Sequence, residues 1–145
     1  GYIPGIMREH GIKLTAITQF KLNKDGKMAY GAESLEIFVQ APGQAAYYHF
    51  AAGRNGDFYD GEGMNGKWDG DWSYRVISAK DDPANCVFEI TIPFRNFKVS
   101  DPGPEPWKIM VIRNGSPAAQ GLPAPRHHDI GAGAELTFSN GKRPE

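Results

Sequence analysis

The chain has 145 residues, and its 16 basic and 17 acidic side chains give a formal net charge of −1. This balance excludes the basic stripe that a nucleic-acid-binding protein needs, and no apolar run approaches the ~20 residues of a membrane-spanning helix. The length predicts one domain that covers residues 1–145.

Short apolar runs separated by turn residues predict an all-β fold. The chain contains 18 glycines and 11 prolines, which divide it into strand-sized segments. The first predicted strand is residues 13–20, where β-branched residues alternate with polar ones, and a turn cluster at residues 23–27 follows it. Gly1 is followed at once by apolar Tyr2 and Ile3, which leads us to expect a sequence truncated at its N-terminus.

Residues 33–40 are the most informative predicted strand, because the two faces differ in chemistry. Leu35, Ile37 and Val39 share one face, which we expect to be buried against a second sheet, while Glu36 and Phe38 share the other. Sugars have a CH-rich face that stacks on aromatic rings and hydroxyl groups that donate to carboxylates. The pair therefore suits a carbohydrate ligand, and a solvated surface glutamate is the alternative interpretation.

A long acidic and aromatic loop is predicted at residues 57–72. Its carboxylates, among them Asp57 and Asp60, are oxygen ligands of the kind that calcium prefers, so we predict a structural calcium ion there. The spacing differs from that of an EF-hand, and a hydrated loop without metal is the alternative. Trp68 and Trp72 in the same loop are candidate stacking platforms for a sugar ring.

Five more strands follow from the same alternation. They are predicted at residues 47–52, 74–80, 86–94, 107–113 and 134–138. Phe88, Ile90 and Ile92 share a face and should lie in the core. About seven or eight strands with long connections predict an antiparallel two-sheet β-sandwich of immunoglobulin or jelly-roll type.

The motifs of common enzyme classes are missing from the sequence. It has no nucleophile elbow, no zinc-protease helix motif and no phosphate-binding loop. Glu36 and Glu89 are both expected to point outward and could form a glycosidase-like carboxylate pair, but sequence spacing does not fix their separation. We therefore predict a noncatalytic protein.

Five segments in a fixed order carry a family resemblance. They are residues 34–39, 47–50, 88–94, 107–113 and 135–138. In this order they resemble the family 9 carbohydrate-binding modules and their DOMON-like relatives. The resemblance implies a sandwich that holds a sugar between two aromatic rings, with calcium in loops. It matches Tyr30 to one ring and Glu36 to the family's carboxylate, and it places His127 and His128 where the second ring is expected.

We therefore predict a bacterial module, secreted to the extracellular space or periplasm, that binds carbohydrate without catalysis and is linked or accessory to a glycan-degrading enzyme. The predicted binding residues are Tyr30, Glu36, Trp68, Trp72, Arg113, His127 and His128. The resemblance also leaves open a haem-binding DOMON-like domain with Met28 or a histidine as axial ligand. A third possibility is an accessory or interaction domain of a larger enzyme, with no ligand of its own.

Overall fold

The computed structural model of the protein contains two antiparallel β-sheets. It describes residues 11–19, 34–54, 56–79, 82–114, 120–122 and 129–138. The described residues contain nine strands: β1 (Ile12–Gln19), β2 (Ser34–Gln40), β3 (Tyr48–Gly53), β4 (Phe58–Glu62), β5 (Ser73–Ala79), β6 (Asp82–Ile92), β7 (Trp107–Asn114), β8 (Gln120–Leu122) and β9 (Ala134–Leu136). Two short 3-10 helices lie at Phe94–Phe97 and Ile130–Ala132.

The strand order confirms the predicted all-β sandwich. The smaller sheet has the order β1-β6-β5, and the larger has the order β4-β3-β2-β7-β8, with β9 pairing with another part of β7. All the strand pairs are antiparallel. Within the part of the chain that the structure describes, no helix is long and apolar enough to cross a membrane.

The core lies between the sheets, where alternate residues of the strands meet. Leu35, Ile37 and Val39 of β2 are buried there, as predicted, because side chains in a strand alternate between its two faces. Burying each such side chain stabilises the fold by roughly 1.5–3 kcal/mol before the loss of conformational entropy. The predicted core face of Phe88 and Ile90 is also buried, so the alternation identified the inward residues of both sheets.

The prediction of a continuous loop at residues 57–72 is wrong in its first part. Residues Phe58–Glu62 form β4, which pairs with β3 and is an edge strand of the larger sheet. The backbone N–H of Gly53 donates to the carbonyl of Asp57 at 2.7 Å, and Gly56 has a φ of +99°. A glycine at positive φ permits the tight reversal between the strands, and the aromatic residues that follow favour extended structure.

One face of the larger sheet points away from the smaller sheet, and we call it the outward face. The register aligns Tyr59, Ala51, Glu36 and Ile112 across β4, β3, β2 and β7 on this face. The neighbouring row aligns His49, Phe38 and Met110. Glu36 therefore lies on the side opposite the core, as the alternation of β2 predicts.

The outward face is partly covered. Ile130, in the second 3-10 helix, packs with Phe38, Met110 and Ile112 in a small apolar cluster separate from the main core. Phe38 is completely buried as a result. It therefore cannot present its ring to a ligand beside Glu36. Instead, it packs beneath the residues around that carboxylate.

Candidate functional site

Glu36 is the centre of a hydrogen-bonded group on the outward face. Nε2 of His49 in β3 lies 2.7 Å from Oε1 of Glu36, and Nδ2 of Asn114 in β7 donates to Oε2 at 2.6 Å. The same amide nitrogen donates to Oγ of Ser34 at 3.2 Å. We call these four residues the polar row. The side chains of Glu36 and His49 are 14% and 8% exposed, so these hydrogen bonds are largely shielded from water.

The sheet register explains why these side chains meet. Glu36 is directly opposite Ala51 in β3, whereas His49 is directly opposite Phe38. Diagonal neighbours on one face of a sheet are within reach of long side chains, and the small side chain of Ala51 leaves room for this contact. Asn114 reaches Glu36 in the same diagonal way from its position opposite Ser34.

An aromatic stack connects the polar row with solvent. The rings of Phe38 and His49 are stacked, with centroids 4.1 Å apart and an interplanar angle of 9°. The centroid of Tyr59 lies 5.1 Å from that of His49, with the two ring planes tilted by 58°. Tyr59 is 39% exposed, so it gives the group an accessible aromatic ring.

The structure separates several predicted site residues from Glu36. Arg113 is directly opposite Leu35 in the register, so it lies on the inward face and is largely buried. Trp68 packs against the inward-facing rings of Tyr48 and Phe50, with centroid distances of 5.1 and 6.0 Å. Neither side chain shares the outward face with the predicted carboxylate.

Trp72 also belongs to the inward side, where it is fixed to Asp60. Its Nε1 donates to Oδ2 of Asp60 at 2.9 Å, and the backbone N–H of Gly70 donates to the same oxygen at 3.1 Å. A Cβ on Gly70 would lie 2.8 Å from the ring of Trp68, so this position needs glycine for the indole to pack. These contacts make both tryptophans part of the packing that covers the core.

Asn96 holds the same loop from the other side. Its Oδ1 accepts from the backbone N–H of Asp71 at 2.7 Å, and its Nδ2 donates to the carbonyls of Asp71 and Pro93 at 2.9 and 2.8 Å. Asp60 and Asn96 are both buried polar side chains. We call Asp60, Asn96 and the bound residues 70–72 the loop clasp, because the two side chains fix the end of the loop through its backbone and indole.

The candidate calcium ligands receive no geometric support. Among the described residues, no group of three or more histidine, cysteine, aspartate or glutamate side chains is arranged to hold a metal ion. Asp57 is exposed, whereas Asp60 accepts the two hydrogen bonds described above. Calcium binding there stays a prediction, and a higher melting temperature in calcium than in EDTA would support it.

The glycosidase-like pair is not formed. Glu89 is directly opposite Arg75 and Thr15, on the outer side of the smaller sheet, and Nε of Arg75 donates to its Oε2 at 2.7 Å. Glu36 and Glu89 therefore lie on opposite outer surfaces of the sandwich. A pair of carboxylates that acts on one glycosidic bond must flank that bond, so these two cannot act together.

Three predicted contacts fall outside the described residues, namely Tyr30, His127 and His128. Conversely, sequence reasoning did not identify His49, Asn114 or Tyr59 as site residues. The signal for His49 was present, because it alternates with inward-facing Tyr48 and Phe50, but its proximity to Glu36 depends on the pairing of β2 with β3.

The chain is a two-sheet β-sandwich with a group of polar and aromatic side chains on one outer face. Its fold is similar to the crystal structure of a putative carbohydrate-binding protein from Bacteroides uniformis, with a TM-score of 0.55 and 15% sequence identity. The similarity covers 88% of this chain and 71% of that protein. No protein-family model matches the chain, and no curated protein matches its sequence.

Proposed function

We propose that this protein is a noncatalytic carbohydrate-binding module whose ligand binds the outward face around Glu36. The observation that carries the proposal is the carboxylate of Glu36, which His49 and Asn114 hold on the same outward face as the exposed ring of Tyr59, the ring that contacts His49. This arrangement combines the two kinds of contact that a sugar requires.

The polar row offers hydrogen bonds to sugar hydroxyl groups. The Glu36 carboxylate accepts hydrogen bonds, and the Asn114 amide both donates and accepts them. Bonds to an ionised carboxylate are stronger than those between neutral groups, especially where water is partly excluded. Because His49 is stacked on Phe38 and bonded to Glu36, the carboxylate is held in place before the sugar arrives.

The exposed ring of Tyr59 provides the apolar part of the site. Its contact with His49 fixes the ring beside the polar row. A pyranose whose CH-rich face covers Tyr59 would turn its rim of hydroxyl groups toward Glu36. The sequence-based assignments of Tyr30, His127 and His128 as sugar contacts stay predictions, because these residues lie outside the described part of the chain.

The fold supports the proposal independently, since the similar protein from Bacteroides uniformis is described as a putative carbohydrate-binding protein. The proposal includes a location outside the cytoplasm, extracellular or periplasmic, where polysaccharides are encountered. There the module would direct a glycan-degrading enzyme, to which it is linked or accessory, toward its substrate.

A glycan array with the purified protein, followed by calorimetry on the sugars that bind, tests the function. Glu36→Gln keeps the size of the side chain but removes the charge, and we expect at least about ten-fold weaker binding, since hydrogen bonds to charged groups contribute about 1.5–3 kcal/mol. Tyr59→Ala should weaken binding about as much through loss of ring contact. Glu89→Gln is the matched control on the other sheet.

Two results would contradict the proposal. The first is a protein that binds no glycan on the array, and the second is glycan binding that both Glu36→Gln and Tyr59→Ala leave intact. The haem-binding alternative is examined with the same sample, because a Soret band in the purified protein would favour it. Its candidate ligand Met28 lies outside the described residues.

A further inference from the structure

Among the residues that the structure describes, Phe58 is the most exposed aromatic side chain. It is 67% exposed, although phenylalanine is among the residues most often buried. It lies in β4, at the edge of the larger sheet, next to Tyr59 of the proposed sugar site. Because adjacent residues in a strand point to opposite faces, Phe58 and Tyr59 place rings on the two sides of one sheet edge.

The ring of Phe58 rests on a fixed support. It meets the ring of Trp72 edge-on, with a centroid distance of 6.0 Å and an interplanar angle of 83°. Trp72 is stacked on Tyr74 at 5.5 Å and is hydrogen-bonded to Asp60. Phe58 and Trp72 therefore form an aromatic ledge whose position is set by the loop clasp.

The surroundings of the ledge favour a polyhydroxylated ligand over an apolar protein surface. Asp57, Asp71 and Ser73 are exposed and adjoin the ledge residues in sequence, and the Asp71 carboxylate is paired with the exposed guanidinium of Arg95. An apolar partner that covered the rings would have to desolvate these charged groups, which is unfavourable. A sugar chain can stack on the rings while its hydroxyl groups donate to the same oxygens.

The ledge is also continuous with the proposed site, since β4 carries both. A single sugar ring cannot contact Tyr59 on one face and Phe58 on the other, because the strand lies between them. We infer that the carbohydrate is a chain of several sugar units that crosses the β4 edge, with one unit on Tyr59 and Glu36 and a later unit on the ledge of Phe58 and Trp72. This inference rests on the proposed function and adds the length and path of the ligand.

Calorimetry on matched ligands of different length tests the inference. The probes are glucose and cellotetraose, xylose and xylotetraose, and mannose and mannotetraose. We expect Phe58→Ala to weaken tetrasaccharide binding about ten-fold, as expected for loss of a ring contact, and at least five times more than monosaccharide binding. Glu36→Gln should weaken both ligands of a pair, because its site holds the first sugar unit.

Two variants serve as controls. Ile77→Ala truncates another exposed apolar residue, on the smaller sheet, and should leave both affinities unchanged. Phe58→Trp keeps an aromatic ring on the ledge and should retain tetrasaccharide binding. Melting temperatures close to that of the unmodified protein are expected for Phe58→Ala, since most of the ring is already in water.

Three outcomes are distinguishable from the expected one. Equal effects of Phe58→Ala on both ligand lengths, or no effect on either, would overturn the inference while Glu36-dependent binding upholds the proposed function. Self-association that depends on Phe58 in sedimentation experiments without sugar would show that a second copy covers the ledge, and would also overturn it. If the unmodified protein binds none of the probes or array glycans, the proposed function fails and the inference fails with it.

Discussion

The polar row on the outward face and the loop clasp on the inward side are built from the same kinds of residue. Each has a carboxylate that is mostly shielded from water and an aromatic ring beside it, Glu36 with His49 and Tyr59 in one case and Asp60 with Trp72 in the other. They differ in the source of their hydrogen bonds. Donors to Glu36 come from side chains of neighbouring strands, whereas donors to Asp60 come from the backbone and indole of a loop.

This difference separates the proposed binding role of the polar row from the structural role of the loop clasp. Removing a carboxylate that holds loop backbone releases the loop and the tryptophan packed beneath it, so the cost falls on stability. Removing a carboxylate held by strand side chains leaves the backbone pairing of the sheet intact, so the cost falls mainly on whatever the group binds. An acid next to an aromatic residue in the sequence does not distinguish the two cases, but its hydrogen-bond partners do.

The largest expected effect is on the loop clasp. Asp60→Ala leaves the indole N–H of Trp72 and the amide of Gly70 without their acceptor, and we expect a loss of about 3 kcal/mol in the free energy of unfolding. In a chain of this size the melting temperature should fall by about 6–12 °C. Sugar binding at Tyr59 and Glu36 should persist below the new melting temperature. Thermal melting followed by circular dichroism measures the effect.

Asp60→Asn is the matched control, because the asparagine side chain has the same size and keeps one acceptor oxygen. It should lose less stability than Asp60→Ala. A melting temperature unchanged by Asp60→Ala would mean that the loop is held without Asp60, and the comparison between the two carboxylates would lose its basis.

Substitutions of two asparagines, one in each region, test the comparison between the loop clasp and the polar row more closely. Asn96→Ala removes three side-chain hydrogen bonds, two of them to the loop, and should cost about 2 kcal/mol of stability, with little change in monosaccharide affinity. Asn114→Ala should cost less than about 1 kcal/mol in stability but weaken sugar binding about five-fold, since Glu36 loses a positioning bond. Chemical denaturation and calorimetry on both variants provide the two measurements. The opposite pattern would exchange the roles assigned to the two regions.

Parts of this structure follow from local sequence rules. The alternation of β2 predicts that Leu35 is buried and that Glu36 is on the other face, because side-chain direction in a strand has a period of two residues. The same rule predicts the buried face of β6. Such predictions need no knowledge of which strands are neighbours, and this is why they agree with the structure.

The composition of the site depends on contacts that are distant in sequence. Arg113 and Asn114 are adjacent, yet only Asn114 faces Glu36, so an error of one residue in the register exchanges them. Phe38 is buried because Ile130, far along the chain, packs over it. Trp68 covers the core because its loop folds back onto the sheet. None of these outcomes is encoded in a local pattern, so the strand order was needed to find the site.

Alkaline pH should lower stability through two tyrosines of the inward region. Burial raises the pKa of Tyr74 above its usual value of 10.0, and the negative charge of the nearby Asp57 raises it further. Burial also raises the pKa of Tyr48, with a further contribution from Glu62. A raised pKa in the folded state means that folding favours the neutral phenol. The contribution of these two tyrosines to stability should therefore be fully present below about pH 10 and be lost as the pH rises through their folded-state pKa values.

Urea unfolding at intervals between pH 8 and 11 tests this expectation. The Tyr74 hydroxyl lies 3.0 Å from the carbonyl oxygens of both Gly53 and Asp57, so Tyr74→Phe should lower stability by about 1 kcal/mol at neutral pH. The same variant should show a smaller loss above pH 10, because one of the two titrating groups is gone. A pH profile identical to that of the unmodified protein would remove Tyr74 as a source of the alkaline loss.

The smallest expected effect is that of substituting Glu89, a third carboxylate. This substitution tests whether sugar binding depends on the overall charge of the protein or on the position of the Glu36 carboxylate. Glu89 accepts a hydrogen bond from a side chain of a neighbouring strand, as Glu36 does, but its partner Arg75 is largely exposed on the other sheet. Exposed ion pairs contribute about 0.2–1 kcal/mol, so Glu89→Gln should change stability by less than about 1 kcal/mol, and less still at high salt. It removes the same charge as Glu36→Gln and should leave sugar affinity unchanged. If calorimetry instead shows equal losses for the two variants, overall charge rather than contact with Glu36 governs binding, and the outward face is not the site.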